Sequence, residues 1–215
     1  MLSFQLSWGQ KHSQSRLMSL TITDLEQLQA QHPDWKMELV DGSIVVMGPS
    51  DYESDEITIE FARVLANWVR PRKLGRVTGS AAGFILPKSE EEDSSEQEGS
   101  NGQKEPRNLR APDVSFVLAN RLKRTKRDFV ELVPDLMVEV KSKTDRVKPL
   151  VKKIKLFLEL GAVVGILIDP DKRTLTVYRP NQSPVTLCDG DTLTLPELLP
   201  GWELAISELW PPVFD

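Results

Sequence analysis

Apolar residues in this chain recur at two spacings, and the switches between them outline its elements. Ile57, Phe61, Val64, Leu65 and Trp68 share one helical face in the stretch that Pro49-Ser50-Asp51 opens and Pro71 ends. That pattern predicts a long helix. Thr23-Asp24-Leu25-Glu26 has capping-box spacing and predicts a short earlier helix ending near His32-Pro33. Between them, Met37-Glu38-Leu39-Val40 and Ile44-Val45-Val46-Met47 flank Asp41-Gly42, which reads as a β-hairpin. Arg76 to Leu86 supplies one or two short strands punctuated by Gly79 and Gly83.

Pro112 to Leu118 and Leu132 to Lys141 are predicted strands. The second alternates: Leu136, Val138 and Val140 face one way, and Asp135, Met137, Glu139 and Lys141 the other. A helix from Val147 to Leu160 closes on Gly161, and a buried strand from Val163 to Ile168 stops at Asp169-Pro170. Thr174 to Tyr178 pairs with that strand through a turn at Asp171-Lys172. The apolar pieces from Leu193 to Trp210, broken by Pro196 and Pro200-Gly201, read as a cap on the core. Strands and helices alternate, so the fold class is α/β with a mixed sheet.

Two stretches bury little: residues 1–19 read as a flexible tail, and residues 88–107 as a disordered acidic insert rich in Ser, Gly and Gln. The remainder, residues 20–210, reads as a single domain.

Composition narrows the chemistry. With only His12 and His32, both near the N-terminus, a His-rich zinc site or a Ser-His-Asp triad in the body of the domain is excluded. Carboxylates are left to carry any metal chemistry. The single cysteine, Cys188, rules out an internal disulfide framework and suits a reducing cytoplasm. No apolar run is long enough to span a bilayer.

Glu139 and Lys141, two apart on a strand, point to one face. Asp113, brought by a neighbouring strand, would complete a pair of oxygen donors for a hard divalent cation. Asp135 repeats the Pro-Asp dipeptide on the same face as Glu139, but lies roughly 13 Å away along the strand, too far to share an ion. The competing reading of Glu139 and Lys141 is a solvated strand face.

The formal charge of −5 hides two basic clusters. Arg121, Lys123, Arg124, Lys126 and Arg127 form one; Lys141, Lys143, Arg146, Lys148, Lys152, Lys153 and Lys155 form the other. Both adjoin the proposed site in sequence and suit a phosphate backbone, with a solubilising surface as the plain alternative.

Several motifs occur here in order: Glu38-Leu39-Val40-Asp41-Gly42, the Pro-Ser start of the long helix, Ala111-Pro112-Asp113-Val114 and Pro134-Asp135-Leu136-Met137-Val138-Glu139-Val140-Lys141. Lys153, Phe157, Gly161 and Ile168-Asp169-Pro170 follow. Together they resemble the Uma2 family of restriction-endonuclease-like proteins, abundant in cyanobacteria and part of the PD-(D/E)xK nuclease superfamily.

The resemblance implies a restriction-endonuclease-like mixed sheet flanked by helices, with an N-terminal hairpin extension. It implies a DNA endonuclease using Mg²⁺ or Mn²⁺, with Asp113 and Glu139 as metal ligands and Lys141 as catalytic lysine. A further acid would come from the long helix, with Glu53 the first choice over Glu56 and Glu60. Relatives often carry a histidine there, where this chain has Tyr52-Glu53-Ser54. Glu38 would approach the metal or fix Lys141, or else pair with a nearby base. Lys153 would contact DNA or orient Glu139, against the reading of an ordinary exposed lysine.

Arg121, Lys123, Arg124, Lys143 and Arg146 are the expected nucleic-acid contacts, and a homodimer is the expected cutting unit. Two other readings stand beside this one. One is a catalytically inactive nucleic-acid-binding or regulatory module that keeps the fold. The other is a structural interaction module that draws on the exposed tail and the Trp202/Trp210 terminal segment.

Overall fold

The computed structural model describes residues 19–87 and 108–215. The acidic insert, and all but the last residue of the N-terminal tail, lie outside the described residues. The chain divides into two compact units.

The first unit comprises Met1–Pro49 and Ile85–Arg110. Helix α1 (Ile22–Gln31) precedes strands β1 (Lys36–Val40) and β2 (Ser43–Met47). The capping box of α1 sits two residues earlier than the spacing of Thr23 and Glu26 predicts. Thr21 is the N-cap, its hydroxyl accepting from Asp24 N while the Asp24 carboxylate accepts from Thr21 N. Both threonines have an acid three residues on, so the motif alone does not choose between them. The β1–β2 hairpin turns at Asp41 (φ 49°) and Gly42 (φ 73°), the two positive φ values a type I′ turn demands. With β4 (Phe84–Ile85) and β5 (Leu109–Arg110) the hairpin makes a sheet of order β2-β1-β5-β4.

The second unit comprises Ser50–Phe84 and Ala111–Asp215. Its sheet contains β3 (Gly75–Gly79), β6 (Val114–Leu118), β7 (Leu136–Val140), β8 (Val164–Asp169), β9 (Thr174–Tyr178) and β10 (Val185–Leu187) in the order β10-β9-β8-β7-β6-β3. Only β7 and β8 are parallel, and helix α3 (Val147–Glu159) makes the crossover that a parallel pair requires.

Period-two alternation assigns each face of this sheet a helix. Leu136, Val138 and Val140 join Val164, Ile166 and Ile168 in one apolar cluster with Ile57, Phe61, Leu65 and Val69 of α2 (Tyr52–Val69). Met137, Glu139 and Gly165 belong to the opposite face, against α3. All five residues of β7 are therefore buried, so Glu139 does not lie on a solvated strand face.

The C-terminal segment, including the pair β11 (Thr192–Thr194) and β12 (Glu203–Ala205), closes the α2 side as the sequence predicts. Trp202 and Trp210 are buried in this core, so no partner is needed to cover them, which removes the aromatic half of the interaction-module reading; its tail half lies outside the described residues.

Gly165 lets α3 sit close to the sheet: a Cβ there would lie 2.5 Å from Ile154 Cγ2. Ile154 is β-branched and fully buried, so it has little room to yield. Gly165→Ala should cost about 1–3 kcal/mol, the usual toll of overpacking. Chemical denaturation reads it as a lowered midpoint. An unchanged midpoint would show that α3 is not held this close.

Candidate active site

The site is set by the pairing of β6 with β7. Their antiparallel register places Val114, the residue after Asp113, opposite Val138, the residue before Glu139. Asp113 sits in a bend just before β6, and its Oδ2 accepts from Val140 N at 2.7 Å. A charge-assisted bond of this kind holds the Asp113 carboxylate against the strand that carries Glu139.

Glu139 is 4% exposed. A carboxylate that deep needs a partner to stay charged. Lys153 of α3 supplies it: its Nζ lies 2.9 Å from Glu139 Oε1 and also donates to Ala111 O at 2.9 Å. One ammonium thus ties together β7, α3 and the residue two before Asp113. Lys153 is itself only 8% exposed, which corrects its reading as an ordinary surface lysine. It lies one helical turn before the buried Phe157, on the face pressed to the sheet.

Lys141 goes elsewhere. Its backbone N–H extends the parallel ladder to Ile168 O, while Nζ donates to Asp171 Oδ2 at 2.6 Å and to Ser142 O at 3.2 Å. The Asp171 hydrogen bond is the main cause that raises the Lys141 pKa; burial opposes it, and the charges of Asp171, Asp169 and Asp145 add to it. At neutral pH Lys141 is therefore an ammonium, suited to donating hydrogen bonds and offsetting charge, not to taking up a proton. Asp171 is a solvent-exposed partner, so this ion pair is a weak tether. The structure brings Lys153 against Glu139 and pairs Lys141, at the end of β7, with Asp171 on the turn after β8.

The start of α2 reaches the same strand end through residues the motif did not single out. Asp51 caps the helix, accepting from Ser54 N at 3.0 Å, and its Oδ2 accepts from Lys143 N at 2.8 Å. The Lys143 and Ser54 N–H groups hold the Asp51 carboxyl below the usual carboxylate range. Ser54 Oγ donates to Lys141 O at 3.1 Å. Glu53, the sequence's first choice for a further acid, is exposed, and Glu60 pairs with Arg63. Capping chemistry at Asp51 was visible in the sequence; its second partner, 92 residues away, was not.

The remaining candidates scatter. Glu38 belongs to the first unit, buried and paired with Arg110 at 2.8 Å, which matches its reading as a carboxylate with a nearby base. Asp135 accepts from Leu118 N and pairs with Arg121, both at 2.8 Å, so it anchors the opposite end of β6 from Asp113. Lys123, Arg124, Lys143 and Arg146 are exposed.

Asp113 and Glu139 offer hard oxygen donors. Mg²⁺ commonly takes one or two protein carboxylates and completes its shell with water and phosphate. Among the described residues no group of three or more His, Cys, Asp or Glu gathers to cage an ion. Two carboxylates are within the number that a hydrated Mg²⁺ takes from a protein. Among the described residues no helix is long and apolar enough to cross a membrane.

The fold has a known counterpart. A crystal structure of "a putative nuclease belonging to DUF820" from Anabaena variabilis matches with a TM-score of 0.70, covering 88% of this chain and 97% of that one at 21% identity. At that identity the likeness is one of fold. No curated protein matches the chain. The Uma2 family model, described as "Putative restriction endonuclease", matches residues 22–207, spanning both motif strands and helices α1 to α3, and the chain belongs to that family.

Proposed function

We propose that this protein is a metal-dependent DNA endonuclease that hydrolyses phosphodiester bonds at the outer end of β6 and β7. The observation that carries this reading is the Asp113 carboxylate held on Val140 N, the residue after Glu139, with a buried ammonium against Glu139 itself. Asp113 and Glu139 would hold Mg²⁺ or Mn²⁺, which supplies Lewis-acid polarisation of a phosphate and a lowered pKa for bound water.

The chain's own residues do the rest. Lys153 holds Glu139 in place, and its bond to Ala111 O steadies the approach to Asp113. The carboxylate that holds Lys141 is exposed, so the ammonium can exchange Asp171 for an incoming phosphate and offset the charge that develops there. Glu53 and Glu38 have no part in this division of labour. Restriction-type cutting of both strands favours a homodimer, which size-exclusion chromatography would reveal.

The test is supercoiled plasmid incubated with purified protein and Mg²⁺ or Mn²⁺, beside Lys141→Ala. Loss of one positioned donor should lower cleavage about 10²–10³-fold. Equal nicking by both proteins would remove Lys141 from the mechanism and point to a contaminant. The Lys141–Asp171 pairing is also what favours a second reading, a binding module that keeps the nuclease fold. Such a module would bind DNA and show no Mn²⁺-dependent rise in melting temperature.

A further inference from the structure

Where α2 ends, the chain runs Arg70-Pro71-Arg72-Lys73-Leu74-Gly75-Arg76, four cations in seven residues with no acid. The fold gathers three of them into a groove of about 300 Å³ lined by Arg70, Lys73, Gly75, Arg76, Ala119, Leu122 and Lys123. No Asp or Glu is among these lining residues. We propose that this groove binds a backbone phosphate of the nucleic acid, as an anchor separate from the Asp113–Glu139 end; its occupant rests on the nucleic-acid reading above.

Three features show that the groove is built. Arg76 donates from Nε to Leu122 O at 2.9 Å and from Nη2 to Lys123 O at 2.8 Å, so the arginine pins the loop that carries Lys123. Gly75 lets the floor close, because a Cβ there would collide with Val117 O and the Phe116 ring. The third feature is Lys73 itself. It follows α2 with φ 55°, and the next residue, Leu74, returns its N–H to Val69 O. That is the left-handed helix-end position where glycine is the favoured residue. A lysine there gives up backbone comfort to place a charge at the groove.

Position completes the case. Gly75 pairs with Leu118 at the end of β6 remote from Asp113. Five residues of strand separate the two ends by roughly 16 Å. That span equals about five base-pair steps of a duplex at 3.4 Å each. A duplex held at both points would be fixed in register without any base being read.

The measurement is anisotropy of a labelled duplex of roughly 20 base pairs, several times that span, titrated with full-length protein in EDTA over a series of KCl concentrations. Lys73→Gly/Lys123→Ala is compared with wild type. Lys73→Gly suits its own φ, so the fold should survive, and a melting curve checks it. We expect at least tenfold weaker binding at low salt. The slope of log K against log salt should also fall by nearly two units, about 0.9 for each lost contact.

Wild-type affinity and slope in the double variant would overturn the groove, even if plasmid is cut. Weakened binding in the variant with no plasmid cleavage by wild type would sustain the groove and remove the nuclease. Inorganic pyrophosphate that binds wild type but not the variant, with duplex affinity unchanged, would also overturn a nucleic-acid occupant.

Discussion

Lys153→Met is expected to lower the folding free energy by about 3–5 kcal/mol, the cost of breaking a buried ion pair by deleting one partner. Methionine keeps most of the buried aliphatic stem, so the loss isolates the charge. Glu139 would be left 4% exposed on the α3 face with its cation gone. For a chain of this size each kcal/mol moves the melting temperature by roughly 2–4 °C, so a drop on the order of 10 °C is expected.

Glu139→Gln should also destabilise, since it takes the counter-charge from the buried ammonium and leaves it the Ala111 carbonyl. The double variant should recover part of the loss, giving a coupling within the 0.5–3 kcal/mol seen for contacting residues. Additive single effects, or a Lys153→Met protein melting within about 2 °C of wild type, would mean that the pair does not hold α3 to β7. This result bears on function without any assay of cleavage. It reports whether the helix holds the most buried carboxylate of the site through Lys153.

How far this could be read beforehand depends on the range over which each signal acts. The hairpin was legible because Asp41-Gly42 carries its own geometry, both residues adopting positive φ. Helix α2 was legible because Ile57, Phe61 and Leu65 repeat within one element. The alternation of β7 was read correctly, yet it could not say what lay over each face. Glu139 would be solvated without α3 and is buried with it, and only the crossover from β7 to β8 decides.

Lys153 was visible as a residue but not as a partner, because Glu139 and Ala111 reach it from different strands. Lys141 shows the converse. Strand spacing placed it on the Glu139 face, and its flexible stem then followed the Asp171 carboxylate beyond β8. The basic run after α2 was in plain view. Its weight as a site came only with the left-handed backbone at Lys73 and the loop held by Arg76.

Asp113→Asn should reduce plasmid cleavage by a thousandfold or more while leaving the fold in place. A metal ligand contributes several kcal/mol to transition-state stabilisation, and each ~1.4 kcal/mol is a factor of ten in rate. The substitution removes one of the two carboxylates proposed to hold the ion, and the neutral amide binds a hard cation poorly. The structural duty of Asp113 is different: Oδ2 accepts from Val140 N, and an asparagine Oδ1 can still do so.

Stability should therefore hold within about 1 kcal/mol, the scale of one neutral hydrogen bond. Asp113→Ala, by contrast, would leave the Val140 N–H without this acceptor, mixing about 1–3 kcal/mol of unfolding into any loss of activity. Two readouts separate the roles. Added Mn²⁺ should raise the melting temperature of wild type and not of Asp113→Asn, through mass action on the folded state. Cleavage at the wild-type rate by a folded Asp113→Asn protein would remove Asp113 from the site, leaving Glu139 and Lys153 as a structural ion pair beneath α3.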